Sequence, residues 1–328
     1  MTAQQQTFTN PLKVSGPDPW VLQQNGWYYY MNTTATDVRL SRTRNLADLA
    51  TAEQKTIFRP PPGTAYSRDL WAPEIHFLDN RWYVYVAADS VNNTGHRIWV
   101  LENESPDPFL GNWTVKGKLA DPTDHWAIDL TVFDFQNQRY ALWSGWAGQT
   151  NGQQNIYIAR LKNPWTMDGD RVLISQPDLD WERHGDVPQD WQRNGEPPKI
   201  YVNEGPEALQ HNEQLFVVYS ANACWLDYCL GLLTYTGNGD LLDPKNWRKS
   251  PKPVFVQAPE NGVFAPGHGG FFTAGTENWM IYHANPSATD GCGNKRAPHI
   301  QRFGWNADGT PDFGKPAPKI PMAAPVRE

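Results

Sequence analysis

The chain has 328 residues, of which 39% are hydrophobic and 13% aromatic, with 16 tryptophans and a formal net charge of -7. With no basic run it lacks an electrostatic grip on a phosphate backbone, which sets nucleic acid aside as a partner. No apolar stretch reaches the ~18 residues of a membrane span, so no membrane association is expected, and no charged-then-apolar leader opens the sequence, so a signal peptide is expected to be absent or already removed.

Five similar openings follow in chain order. DPWVLQQNGWYYYMN carries Asp18, PEIHFLDNRWYVYVA carries Glu74, IDLTVFDFQNQRYALWSG carries Asp129, EGPEALQHNEQLFVVYSA carries Glu204, and GHGGFFTAGTENWMIYHAN carries His268. Each polar residue stands 8 to 11 positions ahead of Trp27, Trp82, Tyr140, Leu215 or Trp279 in a second, apolar strand. A third β-like run then follows in each unit: DVRLSRT, HRIWVLEN, QNIYIARL, CLGLLTYT and APHIQRFGW. No segment sustains a 3.6-residue apolar period, and Asn-Gly, Asp-Asn and Pro-rich clusters punctuate short strands.

Three to four short antiparallel strands in five copies are the pattern of a β-propeller. The sequence therefore predicts an all-β, five-bladed β-propeller forming one domain over 1–328. Its blades are expected near 18–68, 69–125, 126–190, 200–257 and 260–315. The first strand of each blade should line the central channel and bring the five polar residues together at its mouth. The longest irregular insertion, 176–200, precedes the fourth channel strand and is expected to wall that mouth. Three cysteines make no C-x-x-C pair. Cys224 and Cys229 could span a hairpin while Cys292 stands apart in DGCGN, and spacing leaves open whether two of the three pair. Asn-x-Ser/Thr triplets at Asn32, Asn92, Asn103 and Asn112 lean toward an extracellular (secreted) location, with the cytoplasm as the alternative.

SGPDPWV, DLWAPEIHF, WAIDLTVF, VNEGPEAL, APGHGGFF, YHAN and RAPHIQRF, one or more per blade and in order, resemble glycoside hydrolase family 43. The resemblance implies five-bladed propellers that cleave arabinofuranosides and xylosides with inversion. It implies Asp18 as general base, Glu204 as general acid, and Asp129 as the acid that tunes the pKa of its neighbour and orients it. It places Arg296 against the sugar or the tuning carboxylate, and His268 beside a structural calcium or sodium ion held through waters, with no cofactor required for the chemistry. Residue chemistry agrees: inverting hydrolysis needs a protonated acid and an ionised base about 6.5–9.5 Å apart, and a third carboxylate raises the acid by repulsion. Glu207 is the rival of Glu204 for the acid.

Trp20 and Trp71 adjoin channel residues and are expected to stack on a sugar, with Glu74 as a further substrate-binding or supporting residue. Plain readings stand beside these roles. Asp18-Pro19 is a routine turn opener, His268 can simply fill the channel, and Arg296 can be a surface cation. GHGGFF departs from the family in having Gly-Gly after the His, which weakens the expected ion site. The implied activity is an exo-acting α-L-arabinofuranosidase on arabinan or arabinoxylan of plant cell walls, working as a monomer. A β-xylosidase or bifunctional enzyme and a non-catalytic glycan-binding propeller are the alternatives, whereas the NDPNG and RDP motifs of fructan hydrolases are missing.

Overall fold

A computed structural model describes residues 6–225 and 227–325; residues 1–5 and 326–328 of the expected 1–328 span lie outside the described residues. Sheets of four antiparallel strands follow one another along the chain. Blade one comprises Trp20–Gln24, Trp27–Met31, Val38–Thr43 and Glu53–Phe58. Blade two comprises Arg68–Leu78, Arg81–Asp89, Arg97–Asn103 and Thr114–Leu119, and blade three Ala127–Phe135, Gln138–Trp146, Gln153–Asn163 and Thr166–Ser175. Blade four comprises Tyr201–His211, Gln214–Ala221, Cys229–Tyr235 and Trp247–Lys249, and blade five Phe264–Ala274, Glu277–Asn285, Ala297–Trp305 and Pro311–Asp312. The chain is a five-bladed β-propeller. Blades three and four are additionally linked by a short parallel pairing of Gln153 and Gln154 with Tyr201 and Val202.

Turn chemistry fixes the first hairpin of four blades. Asn25-Gly26, Asp79-Asn80, Gln136-Asn137 and Asn212-Glu213 each have both residues at positive φ, the two-residue geometry whose twist matches that of the flanking strands. Packing then occurs between blades. Tyr29 and Met31 of blade one meet Ile75 and Trp82 of blade two, and corresponding apolar clusters fill the other four interfaces. Trp82, Trp143 and Trp279 are among the fully buried side chains. Each such burial contributes roughly 1.5–3 kcal/mol, so aromatic bulk compensates for the modest apolar fraction.

The ring closes through the N-terminal segment. Asn10 exchanges two hydrogen bonds with the Ile300 backbone (2.8 and 3.0 Å), Leu12 N–H donates to Pro298 O (2.8 Å), and Gly16 N–H to Arg296 O (3.0 Å). This segment therefore runs along the third strand of blade five. Ahead of it, Thr7–Phe8 pairs with Met322–Ala323, and Phe8 joins the cluster between blades five and one.

The cysteine pairing left open by spacing is Cys224–Cys292, and Cys229 is a buried free thiol. Asn103 is buried, with its amide donating to Leu110 O at 2.7 Å, so the triplet at Asn103 cannot accept a glycan. The insertion 176–200 is not structureless: it holds a 3-10 turn at Asp180–Glu182 and a short helix, Gln189–Arg193. Among the described residues no helix is long and apolar enough to cross a membrane.

Candidate active site

In blades two to five the polar residues of the repeat sit at or beside the point where the first strand breaks register with the second. Irregularities fall at Trp71/Glu74, Ile128/Thr131, Glu204/Glu207 and Gly267/Gly270. Within them Ala72 (φ 42°), Asp129 (φ 56°), Gly205 (φ 53°) and His268 (φ 46°) are left-handed, as is Asp18 (φ 54°) just ahead of the first strand of blade one. A bulge re-aims a side chain that a regular pleat would send elsewhere, and such backbone costs of order 1–3 kcal/mol per residue. Strain concentrated on the channel residues of separate blades points to a function that selects the side-chain direction.

Asp18 is buried in a cage of donors. Its Oδ1 meets Arg296 Nη1 at 2.8 Å, and its Oδ2 accepts from Thr33 Oγ1 at 2.6 Å. Its backbone N–H donates to His283 Nδ1 at 3.1 Å, and His268 Nδ1 lies 3.5 Å from Oδ1. Thr33 itself accepts from the Ala72 N–H at 2.7 Å, which ties Asp18 of blade one to the bulge of blade two. Burial alone would push the Asp18 carboxyl up, but Arg296, the two imidazoles and the Thr33 hydroxyl together hold it well below the usual carboxylate range. Burial lowers both His268 and His283, so Arg296 is the permanent countercharge.

Glu204 and Asp129 are shifted the other way. Burial raises Glu204 to about 7, with the Asp18 charge adding to the rise and a 2.8 Å hydrogen bond from Tyr228 Oη opposing it. Asp129 is raised well above the ordinary value by burial, then by Glu204 and Asp18, against one hydrogen bond from Gly205 N–H to its Oδ2 at 3.1 Å. The two carboxyls titrate as a pair, and burial is the first reason Glu204 keeps its proton.

The glycines near them are dictated by close approach. A Cβ on Gly267 would lie 2.3 Å from the Tyr228 ring, and one on Gly205 would lie 3.1 Å from His268 Nδ1. The Gly residues around His268 thus make room for the groups that support Glu204 and Asp18.

Asp18, Asp129, Glu204, His268, Arg296 and Trp71 all line one open cavity of about 830 Å³. Trp71 reaches it stacked on His96 (3.9 Å, 24°). Trp20 and Glu74 are placed differently. With Asp18, Glu207 and His268 they enclose an inner cavity of about 10 Å³, room for about one water, and they do not line the open one. There Trp20 Nε1 donates to Ile75 O at 2.9 Å, and Glu74 meets His76 Nε2 at 3.0 Å. Glu207, the rival acid, is in this inner cavity, raised by burial and by Glu74.

Calcium takes about six to eight oxygen ligands. Among the described residues no group of three or more His, Cys, Asp or Glu side chains is arranged to hold a metal. His268 Nδ1 faces Asp18 and Asp129 (3.5 and 3.9 Å), so side chains alone do not build an ion site here, and an ion at His268 would depend on waters for its remaining ligands.

Thr33, Tyr228 and His283 were not singled out from sequence, although they hold the carboxyls in place. His283 lies in the YHAN segment that carries part of the resemblance; Thr33 and Tyr228 sit in loops with no pattern to mark them. The insertion and the loops after it add Trp191, Trp225 and Glu196 to the cavity rim.

A propeller whose channel opens into a sugar-sized cavity, with one carboxyl held ionised and two that retain protons toward neutral pH, has the architecture of a glycoside hydrolase. Residues 8–311 match the model of glycosyl hydrolases family 43, and the chain belongs to that family. It is 36% identical over 321 residues to an extracellular exo-α-(1→5)-L-arabinofuranosidase of Streptomyces avermitilis, covering 94% of this chain and 64% of that protein. It is 35% identical over 331 residues to α-L-arabinofuranosidase 43 of Humicola insolens, covering 98% of this chain and 65% of that one. The chain thus spans just under two thirds of the length of these curated relatives. The crystal structure of an α-L-arabinofuranosidase from Lactobacillus brevis superposes with a TM-score of 0.85 at 35% identity, covering 95% of this chain and 98% of that chain.

Proposed function

We propose that the protein is an inverting, exo-acting α-L-arabinofuranosidase that releases L-arabinofuranose from arabinan or arabinoxylan of plant cell walls. The observation that carries the reading is the opposition of Asp18, kept anionic by Arg296, and Glu204, raised to about 7 by burial, around one cavity. Glu204 donates its proton to the leaving oxygen while Asp18 accepts one from a water on the far face of the sugar. A base with so low a pKa is weak. Attack on an oxocarbenium-like centre asks little of it, and its constant ionisation stabilises the positive charge that develops. Asp129 fixes the Gly205 amide beside Glu204 and adds its repulsion to the pair. The relatives' arabinofuranosidase names support the choice of sugar.

The base, the acid and the tuning carboxylate of this reading all belong to the same chain, so the reaction needs no residue from a second copy and the protein is read as acting as a monomer. The Cys224–Cys292 disulfide, together with relatives described as extracellular, supports secretion into an oxidising compartment. No step is routed through an ion at His268.

The test is a panel of 4-nitrophenyl α-L-arabinofuranoside, 4-nitrophenyl β-D-xyloside, linear arabinan and arabinoxylan, with the first-formed sugar observed by proton NMR. Arabinose should be released with inverted anomeric configuration, and Asp18→Asn and Glu204→Gln should each lower turnover about 10²–10⁴-fold without loss of fold. Retained configuration, or release of xylose alone, would overturn the assignment.

A further inference from the structure

We propose that Trp191 and Trp225 form a stacking platform for the sugar on the leaving-group side of the scissile bond, so that the site recognises a neutral arabino-oligosaccharide beyond the residue it releases. This rests on the arabinofuranosidase reading. Trp191, in the short helix Gln189–Arg193, is the one aromatic among the large hydrophobic side chains left exposed in the described residues, at 37%. It stands at the rim of the open cavity, edge-on to Trp225 at 4.8 Å and 65°.

The Trp225 indole is held by its own contacts, and the backbone that carries Trp191 is pinned. Trp225 Nε1 donates to Asp186 O at 2.7 Å, and the ring packs on Val187, Ile200 and Val202. The Trp191 backbone N–H donates to Pro188 O at 3.0 Å, its carbonyl accepts from Glu196 N–H at 3.2 Å, and Gln192 Nε2 donates to Val187 O at 2.8 Å. A partly exposed indole on a fixed backbone costs apolar hydration without sugar and recovers it when a sugar's C–H face covers it.

Position assigns the platform to the leaving group. The acid must stand beside the oxygen that departs, and Glu204 lies on the first strand of blade four. The insertion bearing Trp191 runs directly into that strand, and Trp225 follows the second strand of the same blade. The tryptophans of blades two and three are already engaged, Trp71 on His96 and Trp126 on Trp146 at 4.6 Å and 7°. Asp190 and Glu196, which line the same cavity and belong to the same insertion as Trp191, supply acceptors for sugar hydroxyls and repel an acidic sugar, which favours a neutral chain.

The experiment compares kcat/KM for 1,5-α-L-arabinotriose with that for methyl α-L-arabinofuranoside in the wild type, Trp191→Ala and Trp191→Phe. The ratio of the two should fall about tenfold in Trp191→Ala, mainly through KM, and recover most of that loss in Trp191→Phe. In a Glu204→Gln background, calorimetry should show arabinotriose binding weakened about tenfold by Trp191→Ala, with arabinose much less affected. A ratio unchanged by Trp191→Ala, or an equal loss on both substrates, overturns the platform while leaving the arabinofuranosidase reading intact. If the wild type cleaves neither substrate, that reading fails and the platform falls with it.

Discussion

Asp129 occupies a left-handed backbone position inside an apolar strand, with its carboxyl buried and facing two other acids. Folding therefore works against its ionisation. Because its pKa is raised in the folded state, its contribution is most favourable below the unfolded value of about 4 and declines as pH rises toward the folded value. Asp129→Asn keeps the shape, an acceptor for Gly205 N–H and a residue type that tolerates positive φ. Two outcomes are expected of this one variant. Its melting temperature should exceed that of the wild type at pH 8 by more than at pH 4, by thermal scanning. The alkaline limb of its pH–rate profile, near 7 in the wild type from Glu204, should move to lower pH, because Glu204 then titrates alone and no longer as half of a coupled pair whose second proton leaves against the charge left by the first. An unmoved limb would restrict Asp129 to orienting Gly205.

The loops after the second strands of blades four and five act as a pair because Cys224 and Cys292 join them. One carries Trp225 and Tyr228; the other leads to Arg296, whose Nε also donates to Gly293 O at 3.3 Å. The closed segment has a sequence separation of 68, for which chain entropy gives a ceiling of about 4 kcal/mol. Cys224→Ser/Cys292→Ser should lower the melting temperature by several degrees and raise KM, since the cation that holds Asp18 and the rim aromatic lose a common anchor. Equal melting curves for that variant and the wild type would show that the bond carries neither load. Such pairing was beyond sequence reading, because the two cysteines belong to different blades and only the packing of blade four on blade five brings them together. Trp20 and Glu74 escaped for a local reason. A one-residue bulge between Trp71 and Glu74 shifts which side chains of blade two face the mouth, and the bond from Trp20 Nε1 to Ile75 O turns that indole toward blade two, behind Asp18.

At the scale of the whole molecule the repeat was legible because each copy sets a polar residue a short way ahead of a turn and an apolar second strand, as DPWVLQQNGWYYYMN does around Asn25-Gly26. Clasps such as Thr33, Tyr228 and His283 were not, since Thr33 and Tyr228 stand in irregular loops 15 and 24 residues from Asp18 and Glu204, and His283 lies 265 residues from Asp18. Closure has a consequence for how the chain could be written. With Thr7–Phe8 paired to Met322–Ala323 and Ala324 N–H donating to Gln6 O at 2.8 Å, the first and last described strands are neighbours, and no blade straddles the gap between them. The order of blades along the backbone is then a matter of where the circle is cut. A circular permutant sealed by a short linker between residues 6 and 325, and opened between Asn238 and Gly239 in the exposed loop 236–240, should fold and keep turnover within about an order of magnitude of the parent. Failure of the sealed, reopened chain to fold would mean that blade one must be made first, and that the ring has a beginning.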